Sequence, residues 1–438
     1  MAKIQIIMTQ AEKKSGSIIA IIAMFFLFAM ISFVTNLAAP IGNIWKAQGL
    51  SNMEAMLGNF MNFFAYLFMG IPAGKMLERI GYKKTALIAM IVGIVGLLVQ
   101  YLSGQGGGFY VYLLGAFICG FCVCMLNTVV NPMLNLLGGG GNKGNQLIQT
   151  GGAFNSLAGT LTPLFVGVLI GTVTDKTAMG DVAPLLFIAM GVLAVAFVII
   201  LFVDIPEPHL KKKEAAVAKV KDKYSAWSFR HFVLGAIAIA LYVGVETGIP
   251  GTLNLWLSDP VKGLGREGAA AVAGGVAAFY WLLMLVGRLI SSAISGKVSS
   301  KTQLTVCAGV AICFVLLAMF LPSSVQASCP AYANGAFSME VVPVSAFLLV
   351  LCGLCTSVMW GGIFNLAVEG LGKYTAAASG IFMMLVFGGG VLPLIQNGVA
   401  DIAGFAISYI VPLAGLAYIL FYGLIGCKNV NKDIPVED

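Results

Sequence analysis

Tyr242-Val-Gly-Val-Glu-Thr-Gly-Ile-Pro-Gly251 puts one carboxylate inside the otherwise apolar run from His231 to Leu257. A run of that length and apolarity is a membrane-spanning helix, so Glu246 lies at membrane depth. An ionised Glu there costs a few kcal/mol, and such residues typically face a cavity and serve transport or proton relay. Gly244, Gly248, Pro250 and Gly251 surround it and are expected to weaken the helix at that level. A broken helix beside a buried acid is one way secondary transporters build a binding site. The competing account is a structural Glu, neutralised by protonation or hydrogen bonds, in a helix kinked for packing.

The rest of the chain agrees with a membrane setting. Of 438 residues, 59% are hydrophobic and only 10% charged, against about 25% charged in soluble domains. The mean hydropathy is +0.95. Apolar stretches of about 20 residues, with Gly and Pro inside them, indicate spanning helices and not the alternating strands of a barrel. The predicted class is an all-α integral membrane protein. Twelve spans are expected at 17–39, 53–77, 85–104, 109–136, 147–173, 183–204, 229–257, 267–294, 303–321, 343–367, 374–398 and 403–426. An even number places both termini on one side. With that side cytoplasmic, only Lys46, Lys176, Lys262 and Arg266 are external and Arg288 lies within a span. The positive-inside rule thus sets the orientation and accounts for the net charge of +7. A polar N-terminus and an overlong first apolar run argue against a cleavable signal peptide. The external loop 322–342 carries no readable chemistry.

A basic linker at 206–228, with Lys211-Lys212-Lys213 and then Lys219, Lys221 and Lys223, separates an N-terminal bundle (1–205) from a C-terminal one (229–438). It serves as an orientation signal or binds anionic membrane lipid. The two parts resemble each other. Ile118-Cys-Gly-Phe-Cys122 recurs as Leu351-Cys-Gly-Leu-Cys355, Asn43-Ile-Trp45 as Asn254-Leu-Trp256, and Thr162-Pro-Leu164 as Leu392-Pro-Leu394. Matches in matching order point to a duplicated six-helix unit, and parallel repeats of this kind build the halves of the major facilitator fold. The C-x-x-C pairs are therefore read as small packing residues and not as metal or redox motifs.

Polar residues inside the spans are the candidates for chemistry. Asn127 and Asn131 are four apart and share a helix face, and Asn155 lies on the next span. Such amides either bond neighbouring helices or face a polar cavity. By the repeat, Trp360 and Phe364 with Asn365 are their second-half counterparts. Amides on one bundle and aromatics on the other suit a sugar, whose hydroxyls bind amides while its C–H face stacks on a ring. Asn36, Trp281, Gln396 and Asn397 are further candidates. The run Gly138–Gly141 with Lys143 lacks the G-K-[ST] of a P-loop, and only His209 and His231 occur. No cofactor or metal is expected, and catalysis has little support. A channel would need a ring of like pore-lining elements, which duplicated halves do not provide.

Gly74-Lys-Met-Leu-Glu-Arg-Ile-Gly-Tyr-Lys-Lys84 resembles the signature loop of the major facilitator superfamily, G-x-x-x-D/E-R-x-G-R/Y-K/R. That resemblance implies a conformational latch through Gly74, Glu78, Arg79, Gly81 and Lys83, with Arg288 a buried counter-charge. Tyr242-Val-Gly-Val-Glu246, Asn131-Pro132, Phe154-Asn-Ser-Leu157, Gly287-Arg288, and Leu371-Gly-Lys-Tyr-Thr375 through Gly388-Gly-Gly-Val-Leu-Pro393 are similar to the fucose/glucose–galactose permease branch. The likeness implies alternating-access uptake of a monosaccharide across the inner membrane, driven by a cation gradient, with protons favoured over sodium, in a monomer that binds no nucleic acid. The branch carries acids in helices 1 and 4 where this chain has Ala38 and Asn127, and a Gln where it has Gly152. Glu246 is then expected to bind sugar hydroxyls and carry the coupling proton. Asn127, Asn131, Asn155, Trp360 and Asn365 are expected to line the cavity. An anionic sugar derivative is the second reading, since Arg288 lies in the pathway, and an uncoupled facilitator is another.

Overall fold

The computed structural model describes residues 2–138, 141–170, 176–207, 224–294, 298–333 and 336–436. Within them, helices occupy all twelve predicted spans. Span 1 is Ala2–Asn36 continued by Ala38–Ala47. Spans 2 and 3 are the two arms of Leu57–Leu102, and spans 4 to 6 are Gly108–Leu137, Gly141–Ile170 and Ala183–Phe202. Spans 7 to 9 are Arg230–Leu257, Ala269–Ile294 and Ser300–Phe320. Span 10 is Val344–Thr356 with Met359–Val368, span 11 is Thr375–Leu385 with Gly388–Ala403, and span 12 is Phe405–Ser408 with Ile410–Phe421. Most of the basic linker, His209, Gly139 and Gly140 lie outside the described residues, as do the side chains of Glu78 and Lys143.

The duplication is visible in the packing. A Cβ on Gly120, the glycine of the first C-G-x-C, would fall 2.1 Å from the Asn62 carbonyl oxygen in span 2. One on Gly353, in the second, would fall 2.2 Å from the Tyr280 carbonyl oxygen in span 8. Spans 4 and 10 thus press a glycine onto the backbone of corresponding partners, spans 2 and 8. The four cysteines of the two motifs are buried and form no disulfide, so they serve as small packing residues.

Three expectations are corrected. Span 7 is one unbroken helix despite Pro250. Its glycines let span 11 approach: a Cβ on Gly244 would lie 2.5 Å from Leu392 Cβ, and one on Gly248 would lie 2.6 Å from Gln396 Oε1. Close packing on both sides holds a helix that local propensity alone would weaken. The interruptions come at Leu37 in span 1, at Ser357–Val358 in span 10 and at Val386–Phe387 in span 11. Span 1 also runs eight residues past its predicted end at 39, to Ala47. Finally, the loop 322–342 is a β-hairpin, Gln326–Ala333 (β1) antiparallel to Ala336–Pro343 (β2), with Cys329 opposite Glu340. Arg266 donates to Glu340 at 2.6 Å and ties the hairpin to the chain leading into span 8.

The hairpin marks one face of the molecule and the 2–3 turn the other. At the turn, Gly81 has φ +88°, and a Cβ there would meet the Glu207 carboxylate at 2.6 Å. Glu207 accepts the Tyr82 and Lys83 backbone N–H groups, each at 2.9 Å. A carboxylate on the first free N–H groups of a helix is favourable for the helix dipole. The signature glycine is therefore needed twice, for its left-handed backbone and for room.

Candidate functional site

At the hairpin face the two halves are bonded to each other. Asn43 Nδ2 donates to Asn254 Oδ1, so the repeated N-x-W motif meets its own copy, and Ser258 Oγ donates to Asn43 Oδ1 at 3.0 Å. Lys46 pairs with Asp259 at 2.8 Å and reaches the Leu255 carbonyl at 3.2 Å. Asp401 accepts the Asn52 and Met53 backbone N–H groups at 2.9 and 2.8 Å, capping the short helix Asn52–Ala55 from the other half.

Asp259 lies beyond the end of span 7. Its partial burial favours the neutral acid. That effect is outweighed by the Lys262 N–H (2.8 Å), the Lys46 ammonium and the Val261 N–H (2.9 Å), which hold its carboxyl below the ordinary range. A depressed carboxyl stabilises the folded contact at every pH above its ordinary value and loses that contribution only as pH falls through the depressed one. Between about pH 5 and 8 the closure at the hairpin face is therefore expected not to titrate at Asp259. Labelling of a cysteine placed at Ala277, in the wall of the cavity beneath this closure, corrected for thiolate fraction with an exposed control cysteine, checks this. A rate that rises as pH falls toward 5 would contradict it.

Beneath that closure lies an open cavity lined by Thr35, Asn36, Asn59, Thr247, Asn254 and Trp281 with apolar neighbours, Ala277 among them. Spans 1 and 2 supply one wall and spans 7 and 8 the other. Trp281 also crosses to the first half: a Cβ on Gly159 of span 5 would lie 3.0 Å from its ring.

Span 8 continues from Trp281 to Arg288, seven residues or about 10 Å along the helix. Arg288 Nη2 donates to Glu246 Oε1 at 3.3 Å, and Nη1 donates to the Gly152 carbonyl at 2.6 Å and to Ser156 Oγ at 2.8 Å. Both charged side chains are almost enclosed, 12% and 13% exposed. Glu246 is thus directed into the protein and paired, and one guanidinium joins the carboxylate of span 7 to span 5 of the other half. A Cβ on Gly152 would sit 3.4 Å from Nη1, so the absence of a side chain there leaves the guanidinium its place. Lys has no planar fork to reach three acceptors in this way.

The remaining candidates separate into groups. Asn36 and Trp281 line the cavity. Asn127 Nδ2 donates to the Tyr66 hydroxyl at 2.7 Å, Asn131 to the Asn127 carbonyl at 3.0 Å and Asn155 to the Phe28 carbonyl at 3.1 Å. The donors of Asn127 and Asn155 bond neighbouring helices, and none of the three amides is in the lining. Trp360 packs on Tyr242 with ring centres 6.3 Å apart, and Phe364 packs on Phe382. Asn365 is exposed. Gln396 is buried behind Gly248 with Nε2 unpaired, and Asn397 donates to Thr252 at 2.9 Å. Arg79 is exposed, Gly74 is open around its Cα, and Lys83 donates to the Val203 carbonyl at 3.0 Å.

Sequence reasoning missed Asn59, Thr247 and the pairing of Asn43 with Asn254. Asn59 and Asn62 were visible as amides in an apolar span. Asn43 and Asn254 stood in the text only as a repeat.

Comparison with known proteins fits this architecture. Residues 21–393 match the Major Facilitator Superfamily. The chain belongs to that superfamily. A glucose/galactose transporter of Brucella abortus is 32% identical over 428 residues, covering 96% of this chain and 97% of its own. The L-fucose-proton symporter of Escherichia coli K12 is 24% identical over 408 residues, covering 87% and 86%. The crystal structure of the superfamily transporter FucP in its outward conformation superposes with a TM-score of 0.68 at 20% identity, covering 93% of this chain and 98% of that one. This superfamily protein is accordingly a multi-pass membrane transporter of two six-helix halves, and not an enzyme.

Proposed function

We propose that the protein carries a neutral monosaccharide, of the glucose, galactose or fucose class, by alternating access coupled to protons. One observation carries this reading: a cavity between the halves has amides, hydroxyls and Trp281 in its wall, and about 10 Å along span 8 from that indole a nearly enclosed carboxylate, Glu246, is paired with Arg288. Amides and hydroxyls match sugar hydroxyls, and an indole face matches the apolar side of the ring. The glucose/galactose transporter matched over nearly its whole length supports the same substrate class. Glu246 is the proton carrier in this reading, and proton symport is in the printed name of the E. coli relative.

In this reading the protein sits in the inner membrane, and the distribution of its basic residues supports an orientation with both termini and the 2–3 turn cytoplasmic and the hairpin outside. The bundles 1–205 and 229–438 rock about the cavity, and the signature turn bears on the second half when the hairpin face opens. For an anionic sugar derivative the guanidinium would have to be free, yet its charge is balanced by Glu246. Uptake into proteoliposomes by a sugar panel, under an imposed pH or sodium gradient, tests the reading. Accumulation of a neutral monosaccharide with the proton gradient alone is expected. Accumulation only of sugar acids, or only with sodium, would overturn it.

A further inference from the structure

Pro393 stands four residues after Gly389 in span 11. Proline has no N–H, so the Gly389 carbonyl receives no helical hydrogen bond. Two side chains take that place: Asn59 Nδ2 of span 2 donates to it at 3.0 Å, and Thr247 Oγ1 of span 7 at 3.0 Å. Thr247 shares its single proton with the Val243 carbonyl at 2.8 Å. Asn59 and Thr247 both line the cavity, and Asn59 belongs to the opposite half from the carbonyl it serves. A side chain on Gly389 would collide with Phe63 and Val243, each 2.7 Å from the added Cβ. The carbonyl thus faces the seam between spans 2 and 7.

We propose that Asn59 and Thr247 are sugar-binding residues, held on the Gly389 carbonyl until a hydroxyl of the transported sugar takes its place. A hydroxyl is both donor and acceptor. Inserted between Asn59 and Gly389, it accepts from Nδ2 and donates to the carbonyl, so every buried polar group stays satisfied. A carboxylate accepts only and would face the carbonyl lone pairs; an apolar group would leave the amide and the carbonyl unpaired. The site therefore selects neutral polyols, and its occupation replaces a direct tie between the halves with one running through the substrate. The inference rests on the sugar reading above and adds the residues and the hydroxyl chemistry.

The test measures sugar binding to the purified full-length protein by tryptophan fluorescence, using glucose, galactose, fucose and the monodeoxy analogues of whichever binds. Asn59→Ala is expected to weaken the parent sugar about tenfold, the scale of one lost hydrogen bond, and to leave one particular deoxy analogue unaffected. Thr247→Val, which keeps the shape of the side chain, is expected to weaken the same sugar several-fold and to spare the same or an adjacent deoxy analogue. Wild-type affinity in both variants, or equal weakening of every analogue, would overturn the assignment while the sugar reading stood. A wild-type protein that binds none of the sugars would remove both.

Discussion

Glu246→Gln is expected to bring steady-state accumulation down to a concentration ratio of about 1, since a carrier uncoupled from its driving ion can only equilibrate its substrate. Counterflow should persist. Gln has the volume of Glu and keeps an acceptor for Arg288, but it cannot take up and release a proton. Arg288 also keeps its bonds to the Gly152 carbonyl and Ser156 Oγ, so the contact between spans 5 and 8 survives. Glu246→Ala should behave differently. It leaves a nearly enclosed guanidinium without its counter-charge, a change that costs about 3–5 kcal/mol where a buried pair is broken. Gln also lacks the negative charge but keeps the volume and a hydrogen-bond acceptor, so thermal unfolding in detergent should register a smaller loss for Gln than for Ala. Uptake of labelled sugar with and without a proton gradient, beside counterflow with preloaded vesicles, separates the outcomes. If Glu246→Gln still concentrates sugar, the carboxylate has a structural role and the coupling proton is carried elsewhere.

Joining the hairpin-face closure covalently is expected to stop transport almost completely. Asn43 and Asn254 are hydrogen-bonded partners from the two halves, so cysteines at both positions place two thiols side by side at the repeated motif. Oxidation, or a short bis-thiosulfonate linker where the Cβ separation exceeds the roughly 4.5 Å limit of a disulfide, should lower uptake more than tenfold. Reduction should restore it. Alternating access requires this face to part in every cycle, so a lock on it blocks turnover whatever the sugar. The native cysteines are mostly buried, so the background protein should tolerate the same oxidant. Complete cross-linking with unchanged uptake would mean that the Asn43–Asn254 contact does not open during transport. Asn43→Ala/Asn254→Ala, which removes the native amide pair, should speed labelling of a cysteine placed at Ala277 relative to the same cysteine beside the native pair.

The lock and the carboxylate differ in what pH does to them. Asp259 at the closure is held in its ionised form by Lys46 and by two backbone N–H groups from its own turn. On the proposed role of Glu246, proton dependence of transport between about pH 5 and 8 is expected to be lost with that carboxyl and not with Asp259 at the gate. The Glu246→Gln variant should consequently show exchange that is flat over that range.

Much of this protein was legible in its text because the quantities concerned are local sums. Burying some 20 apolar residues in lipid decides a span without reference to the rest of the chain, so most of the twelve spans follow from hydropathy alone. Glu246 and Arg288 were conspicuous for the same reason, as charges where lipid depth makes charge costly. The repeat was readable because duplication leaves matching strings, of which Asn43-Ile-Trp45 and Asn254-Leu-Trp256 are one pair. The contacts between spans could not be read that way. Whether Glu246 meets Arg288, 42 positions away, depends on how spans 7 and 8 are rotated against span 5. The amides Asn127 and Asn155 bond Tyr66 and the Phe28 carbonyl because those groups lie within 3.1 Å, a fact of helix placement and not of spacing. The glycines of span 7 looked like breakers and proved to be contact points, since Leu392 and Gln396 of span 11 fill the space that Gly244 and Gly248 leave. Pro393 shows the division most plainly: its residue type decides that the Gly389 carbonyl is free, and only the packing of spans 2 and 7 decides that Asn59 and Thr247 take it.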